Sequence, residues 1–181
     1  MVTWAETRRR LREDRERLST FLDPQPSRRP VLLRLNPSYV CVALQRVSHF
    51  LFVRGYRVTA RLVWHVNLLV TGADMPPSSD IGGGFVVDHP IGSGVIGKIG
   101  RNCTLRVAAG VGGGGVAQDD IGGGPGLPVI GDDVELGAGA LIVGPIRIGN
   151  RVRIGPRCLV TRSVADDSVV QAAESRRVPR E

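Results

Sequence analysis

One histidine lies beside an acidic residue between two glycine-rich turns, in the stretch GGFVVDHPIG at residues 83–92. The chain has three histidines, and this one, His89, directly follows Asp88. An imidazole has an unperturbed pKa of about 6.5, so it can take up and return a proton near neutral pH. The pair therefore indicates general-base chemistry, although an isolated histidine on a scaffold is often only an exposed polar residue.

The residues that would position His89 follow a period of six. Aliphatic residues recur every six positions from Ile81, and after a glycine-rich interruption the pattern resumes at Ile130. Eleven of the twelve first positions are aliphatic and eight of the twelve positions after them are glycine, so the repeat is not accidental. The first positions are Ile81, Val87, Ser93, Ile99, Leu105, Val111, Ile130, Leu136, Ile142, Ile148, Ile154 and Val160.

A six-residue repeat fits one short strand followed by a tight corner, and three repeats make one triangular coil. The aliphatic residue points into the prism and stacks on its equivalent one coil away, while glycine eases the corner. This packing explains why only 4% of the residues are aromatic while 24 are glycine. We therefore predict a mainly β fold, a parallel β-helix of hexapeptide repeats with a short α-helical N-terminal region.

The chain divides into three predicted parts. They are an α-helical N-terminal region at 1–70, a β-helix at 71–170 with an extruded loop at about 117–129, and a C-terminal tail at 171–181. Asn36 is expected to cap a helix that begins at Pro37. A later helix, from about Arg57 to Val70, is expected to carry an apolar stripe of Leu62, Val66 and Leu69.

Composition excludes several classes of function. The net charge is +7, but the arginines are spread along the chain and aromatic residues are few, which disfavours nucleic-acid binding. A membrane span needs roughly 20 apolar residues, and no stretch provides them. Three scattered cysteines suit a reducing compartment and the charged N-terminus does not look like a signal peptide, so we expect a cytoplasmic protein. With no cluster of His and Cys residues, we expect no metal.

Taken together, the repeat, the helical lead-in RVSHFLFVRGYRVTARLVWHVNLLVTGADM and the stretch TGADMPPSSDIGGGFVVDHPIG resemble the serine acetyltransferase family of hexapeptide acyltransferases. The resemblance is greatest to its relatives with short N-terminal regions, often found with polysaccharide or natural-product genes. It runs from about Leu44 to Val170, and its most specific part is an aspartate, Asp74, fifteen positions before His89. It implies the left-handed form of the β-helix and acetyl transfer from acetyl-CoA to a hydroxyl. His89 would be the catalytic base and Asp74 its partner.

The resemblance also implies a donor site and an assembly. Members of the family pack three prisms side by side, with the donor in the groove between two subunits. This chain would accordingly be a homotrimer, and two trimers could pair. The matching donor-binding positions are Gly112, Gly113, Ala138, Gly139 and Arg153. The arginine would meet coenzyme A phosphates, or else belong to a solvated basic face.

The acceptor site departs from the family pattern. Serine acetyltransferases carry Arg-His-Pro where this chain has Gly126, Leu127 and Pro128. The cation for the serine carboxylate and a second histidine are thus absent from this position. We expect Asp88 and Leu127 to contact an acceptor other than serine, such as a sugar or natural-product hydroxyl.

Other classes of function stay open at this point. A catalytically silent trimeric scaffold would keep the fold without the substrate, and an N-acetyltransferase acting on an amino sugar could use the same base. A zinc hydratase is excluded because it needs three imidazoles at one metal. His49 and His65 belong instead to the helical region.

Overall fold

The computed structural model describes residues 2–22, 33–115 and 118–173. Helices precede a stack of short strands: α1 (Trp4–Leu22), α2 (Pro37–Val53) and α3 (Arg57–Thr71). The predicted cap of α2 is confirmed, because the side chain of Asn36 accepts a hydrogen bond from the N–H of Ser38 at 2.9 Å. Residue 117 of the predicted loop, its neighbour 116 and residues 174–181 of the predicted tail lie outside the described residues.

The strands form three parallel sheets, one on each side of a triangular prism. The first sheet contains β1 (Asp80–Ile81), β4 (Lys98–Ile99), β7 (Val129–Ile130) and β10 (Arg147–Ile148). The second contains β2 (Val86–Val87), β5 (Thr104–Leu105), β8 (Glu135–Leu136), β11 (Arg153–Ile154) and β13 (Val169–Val170). The third contains β3 (Gly94–Val95), β6 (Gly110–Gly112), β9 (Leu141–Val143) and β12 (Leu159–Val160). From β1 to β12 successive strands visit the three sheets in turn. The predicted left-handed parallel β-helix is confirmed.

The core of the prism is a ladder of buried aliphatic side chains, as the six-residue period predicts. One predicted position in that ladder is wrong, because Val95 rather than Ser93 pairs with Val111. The corner between β2 and β3 holds two residues more than a regular corner, and the following segment, from β3 to β4, is two residues shorter than a regular one. Gly97 makes the turn at the end of this shorter segment with φ of +143°, a conformation that residues other than glycine rarely adopt.

The long loop interrupts the stack between β6 and β7. Ile99 pairs with Ile130, 31 positions later instead of 18, so the loop inserts 13 residues into a coil. Its described part is organised by Asp120, whose carboxylate accepts hydrogen bonds from the N–H groups of Gly122 and Gly124. The loop therefore has hydrogen-bonded structure of its own.

The helices cover the open end of the prism with hydrogen-bond donors. The first coil has no preceding coil to bind its carbonyl oxygens, and buried carbonyls need partners. Arg46 on α2 donates to the carbonyl oxygens of Ile81 and Gly82 and forms a buried ion pair with Asp14 on α1. Arg17 on α1 donates to further carbonyls of the first two coils. Charged residues thus fasten the helices to the β-helix.

The predicted apolar stripe of α3 is exposed in the single chain. Leu62, Val66 and Leu69 are 59%, 48% and 84% exposed. The opposite face of α3 is buried and includes Asn67, which donates a hydrogen bond to the backbone of α2, and Thr71. The apolar stripe consequently faces outward. No helix in the described ranges is long and apolar enough to cross a membrane.

Candidate active site

The enlarged corner between β2 and β3 carries His89 outward. The corner spans residues 88–93, where the equivalent corner one coil later spans only 106–109. His89 has φ of 63°, a left-handed conformation uncommon for residues other than glycine, and its side chain is 77% exposed. The departure from the six-residue period therefore presents the imidazole to solvent at an edge of the prism.

Asp88 and His89 form a hydrogen-bonded pair. Nδ1 of His89 lies 2.9 Å from Oδ1 of Asp88. The other carboxylate oxygen, Oδ2, accepts a hydrogen bond from Nη1 of Arg106 at 3.4 Å. Because the nitrogen that bonds the carboxylate is Nδ1, the Nε2 atom of the ring is the one directed away from this pair.

Arg106 is held in turn by Glu135 and Phe21. Its Nε and Nη2 atoms donate to Oε1 of Glu135 at 3.0 and 2.9 Å, and the ring of Phe21 lies 4.8 Å from its Cζ atom. Hydrogen bonding to the carboxylate of Glu135 raises the pKa of Arg106 above its usual value, so the guanidinium stays charged. Sequence reasoning missed both charged residues. Arg106 could have been found, because it lies 18 positions, one full coil, after Asp88.

Asp74 lies on the neighbouring rung of the third sheet. It pairs with Gly94, and its Oδ1 accepts a hydrogen bond from Nε1 of Trp64 on α3 at 3.0 Å. The structure thus brings Asp74 to the same end of the prism as His89, with its carboxylate bonded to the indole. The role of Asp74 as the partner of His89 stays a prediction.

Two open grooves flank the edge that carries His89. One groove, about 280 Å³, is lined by Asp74 and by two of the predicted donor-binding residues, Gly112 and Gly113. The other, about 390 Å³, is lined by Asp88, Arg106 and two more of the predicted residues, Ala138 and Arg153. Gly139, the fifth, turns the corner between the two with φ of 66°. The five residues are therefore divided between two faces that share one edge.

The predicted acceptor residues lie on either side of that edge. Asp88 lines the larger groove. Leu127 ends the long loop beside Gly113: a Cβ atom on that glycine would lie 3.3 Å from the leucine Cδ2 atom. The loop therefore places an apolar side chain at the smaller groove, next to Gly113.

Comparison with known proteins yields a consistent set of relatives. Residues 128–162 match the family model of the bacterial transferase hexapeptide (six repeats). The chain is 33% identical over 168 residues to the serine acetyltransferase of Bacillus subtilis, and the matched region covers 90% of this chain and 73% of that protein. It is 35% identical over 127 residues to the serine acetyltransferase of Mycobacterium tuberculosis, covering 69% of this chain and 53% of that protein.

The same similarity is found among solved structures. Serine acetyltransferase isoform 3 of Entamoeba histolytica, crystallised in complex with cysteine, superimposes with a TM-score of 0.84 at 28% identity over 98% of this chain and 62% of that one. Three of the curated relatives are matched over only 50% to 59% of their own length. The chain thus corresponds to a little more than half of those proteins.

Proposed function

The chain belongs to the serine acetyltransferase family, and from that premise we propose that it transfers an acetyl group from acetyl-CoA to a hydroxyl of a small molecule, with His89 as the general base. The observation that carries this proposal is the position of His89. The imidazole projects from an enlarged corner between two grooves, and its Nδ1 is bonded to a carboxylate. That arrangement suits a base that must reach both an acceptor and a donor.

In the proposed reaction, the oxygen of the acceptor hydroxyl attacks the thioester carbonyl of acetyl-CoA, and Nε2 of His89 accepts the proton of that hydroxyl. The carbon–sulfur bond breaks, and the same nitrogen returns the proton to the thiolate of coenzyme A. No acyl-enzyme is needed. Two of the three cysteines support direct transfer, because burial raises the pKa of Cys103 to about 11 and that of Cys41 to about 12, which disfavours the nucleophilic thiolate.

The donor would follow the edge shared by the two grooves. The backbone at Gly112, Gly113 and Gly139 is accessible because these residues have no side chain, which suits close approach of a pantetheine arm. Ala138 is nearly as small. Arg153 lines the larger groove and is exposed, so its guanidinium is available to a phosphate group.

We propose a neutral acceptor rather than an amino acid. Leu127 and Gly126 supply no cation for an acceptor carboxylate at the smaller groove. On the other side, Oδ1 of Asp88 faces His89 and Oδ2 accepts a hydrogen bond from Arg106, so both oxygens already have a partner and the carboxylate is less suited to bind an ammonium group. A sugar or natural-product hydroxyl fits both observations.

We also propose that the protein is a homotrimer of the kind the resemblance implies. Leu141 and Leu159 are adjacent on the outer face of the third sheet and are both exposed. The outward stripe of α3 adds further exposed apolar surface. Exposed apolar patches of this kind are typical of subunit contacts. A cytoplasmic location stays a prediction from the sequence.

The test is an acceptor screen with radiolabelled acetyl-CoA. Serine, an amino sugar and a panel of neutral sugars and natural-product alcohols would be compared, with sedimentation velocity to measure the oligomeric state. We expect transfer to a neutral hydroxyl, lowered about 10²- to 10⁴-fold by His89→Ala. His65→Gln, which changes an exposed histidine of α3, is the matched control.

Each alternative predicts a different result in the same screen. Preferred labelling of the amino sugar nitrogen would favour the N-acetyltransferase. Calorimetric titration that detects no binding of acetyl-CoA at millimolar concentration would favour the silent scaffold and overturn the proposal. Undiminished turnover by His89→Ala would remove His89 from the mechanism.

A further inference from the structure

The end of α3 and the corner that carries His89 are joined by backbone hydrogen bonds. Gly72 ends the helix in a left-handed conformation, with φ of 73°, and its carbonyl oxygen accepts a hydrogen bond from the N–H of Gly92 at 3.0 Å. Two residues further on, the N–H of Asp74 donates to the carbonyl oxygen of Ser93 at 2.9 Å. Both bonds reach the enlarged corner, so they hold α3, Asp74 and the corner together.

The side chain of Asp74 is held at one of its two carboxylate oxygens. Oδ1 accepts the hydrogen bond from Nε1 of Trp64 at 3.0 Å, while Oδ2 makes no hydrogen bond with any residue that the structure describes. Asp74 is exposed and lines the smaller groove together with its strand partner Gly94. Since Gly94 has no side chain, it does not cover the neighbouring carboxylate. Oδ2 is therefore available to a further partner at the groove.

Trp64 belongs to the inward face of α3. Ala60, Asn67 and Thr71 are buried, and they recur with Trp64 at the three- and four-residue spacing of one helix face. The indole is half-buried, and its ring stacks on that of His65 with the two centroids 4.8 Å apart. A tryptophan N–H that is shielded from water usually finds a hydrogen-bond partner. This one reaches out of the helical region to a carboxylate at the groove.

We propose that Trp64 is a positioning residue that acts through Asp74: its N–H fixes Oδ1 and thereby directs Oδ2 towards the imidazole of His89. This inference rests on the proposed function and on the predicted partnership of Asp74 with His89. The imidazole bonds Asp88 in this structure, but its side chain is 77% exposed, so it is free to change rotamer. An indole has a single N–H donor, and the packing of α3 sets its direction. The helical region thus contributes to the active site as well as covering the end of the prism.

The first test measures the contact directly and needs no acyl acceptor. The full chain is labelled with nitrogen-15 in its two indole groups, and the signals are assigned with Trp4→Phe and Trp64→Phe. Asp74→Ala should shift the N–H signal of Trp64, because that N–H loses its hydrogen-bond partner, while Asp88→Ala should leave the signal in place. The signal of Trp4 reports whether each variant is folded. A Trp64 signal that does not respond to Asp74→Ala overturns the inference.

The second test removes the N–H of Trp64 and keeps its two fused rings. In a Trp4→Phe chain, Trp64 is the remaining tryptophan, so an analogue supplied during expression enters at that position alone. Benzothienylalanine has sulfur in place of the N–H, whereas 7-azatryptophan keeps the N–H. With the acceptor found by the screen, benzothienylalanine should lower kcat about 10- to 100-fold, the size expected for a slightly misplaced catalytic group. The KM for acetyl-CoA should change little, and 7-azatryptophan should retain most of the activity.

Trp4 provides the matched control. It lies against Phe50 of α2, with the ring centroids 5.1 Å apart, and lines neither groove. Trp4→Phe should therefore keep the activity of the unmodified chain. A double-mutant cycle then tests whether Trp64 acts through Asp74: in an Asp74→Ala chain, benzothienylalanine should cause no further fall in kcat. An additional fall of the same size would refute the proposed route.

Kinetics also separate this inference from the proposed function. If His89→Ala is inactive while the chain with benzothienylalanine is fully active, only the positioning role of Trp64 fails. A rise in the KM for acetyl-CoA without a fall in kcat would mean that Trp64 contacts the donor, and would likewise refute positioning. If His89→Ala is active, the proposed base fails.

Discussion

Replacement of Asp14 by alanine tests whether a buried ion pair fastens the helices to the β-helix. The side chains of Asp14 and Arg46 are 1% and 2% exposed, and the carboxylate also accepts a hydrogen bond from the N–H of Phe85 at 2.8 Å. Without it, the guanidinium stays buried with only part of its charge compensated. Removal of one partner from a buried pair destabilises a protein by about 3–5 kcal/mol. The free energy of unfolding should therefore fall by about 3–5 kcal/mol.

The assay is urea denaturation followed by circular dichroism at one fixed chain concentration, because assembly contributes to apparent stability. Glu6→Ala is the matched control on the same helix, since its ion pairs with Arg9 and Arg10 are more exposed and should contribute at most about 1 kcal/mol. Asp14→Leu combined with Arg46→Met should destabilise the protein by less than the sum of the two single replacements, because neither charge is then buried alone. Equal losses of unfolding free energy for Asp14→Ala and Glu6→Ala would refute the idea that the buried ion pair fastens the helices to the β-helix.

Three further predictions concern stability and reactivity. Burial lowers the pKa of His49, so the folded state resists its protonation. The free energy of unfolding should therefore fall as the pH drops below about 6.5. In urea titrations from pH 8 to pH 5, the His49→Gln variant should lose this pH dependence, while the control variant His65→Gln should keep it. Cys103, whose pKa burial raises to about 11, should react with iodoacetamide only on unfolding; peptide mapping that finds it alkylated in the native protein would contradict this. Gly97→Ala should lower the free energy of unfolding by at least about 1–3 kcal/mol, since φ is +143° and the new Cβ would lie 2.7 Å from a backbone oxygen; Gly112→Ala, with open space around it, should be nearly neutral in the same denaturation experiment.

The departures from the repeat mark the places of interest in this protein. The corner at 88–93 gains two residues and presents His89, and the loop between β6 and β7 gains 13 and places Leu127 at a groove. A regular coil can do neither, because each of its residues is committed to stacking or to a tight corner. The inserted residues are not needed for stacking or for a tight corner, so they can contact a ligand.

The six-residue period by itself determined the β-helix. The sequence has one aliphatic side chain in each six-residue repeat. Few folds other than a β-helix can bury a core with that constant spacing, so the pattern predicts the stacked coils directly. It failed at Ser93, because a period read along the sequence cannot detect two residues gained in one corner and lost from the next edge. Only the pairing of Val95 with Val111 revealed this.

The faces of the helices and the partners of His89 were decided by the tertiary structure. Apolar spacing gave α3 a stripe that includes Leu62, yet this stripe faces outward, because the buried face of α3 carries Asn67 and Thr71, and Asn67 donates a hydrogen bond to the backbone of α2. Likewise, the sequence indicated a base at His89, whereas the contact of its neighbour Asp88 with Arg106, and that of Arg106 with Glu135, depend on which coil stacks on which. Periodic burial is a local property that a sequence displays, while charge pairing across coils depends on distances in space that only the folded chain defines.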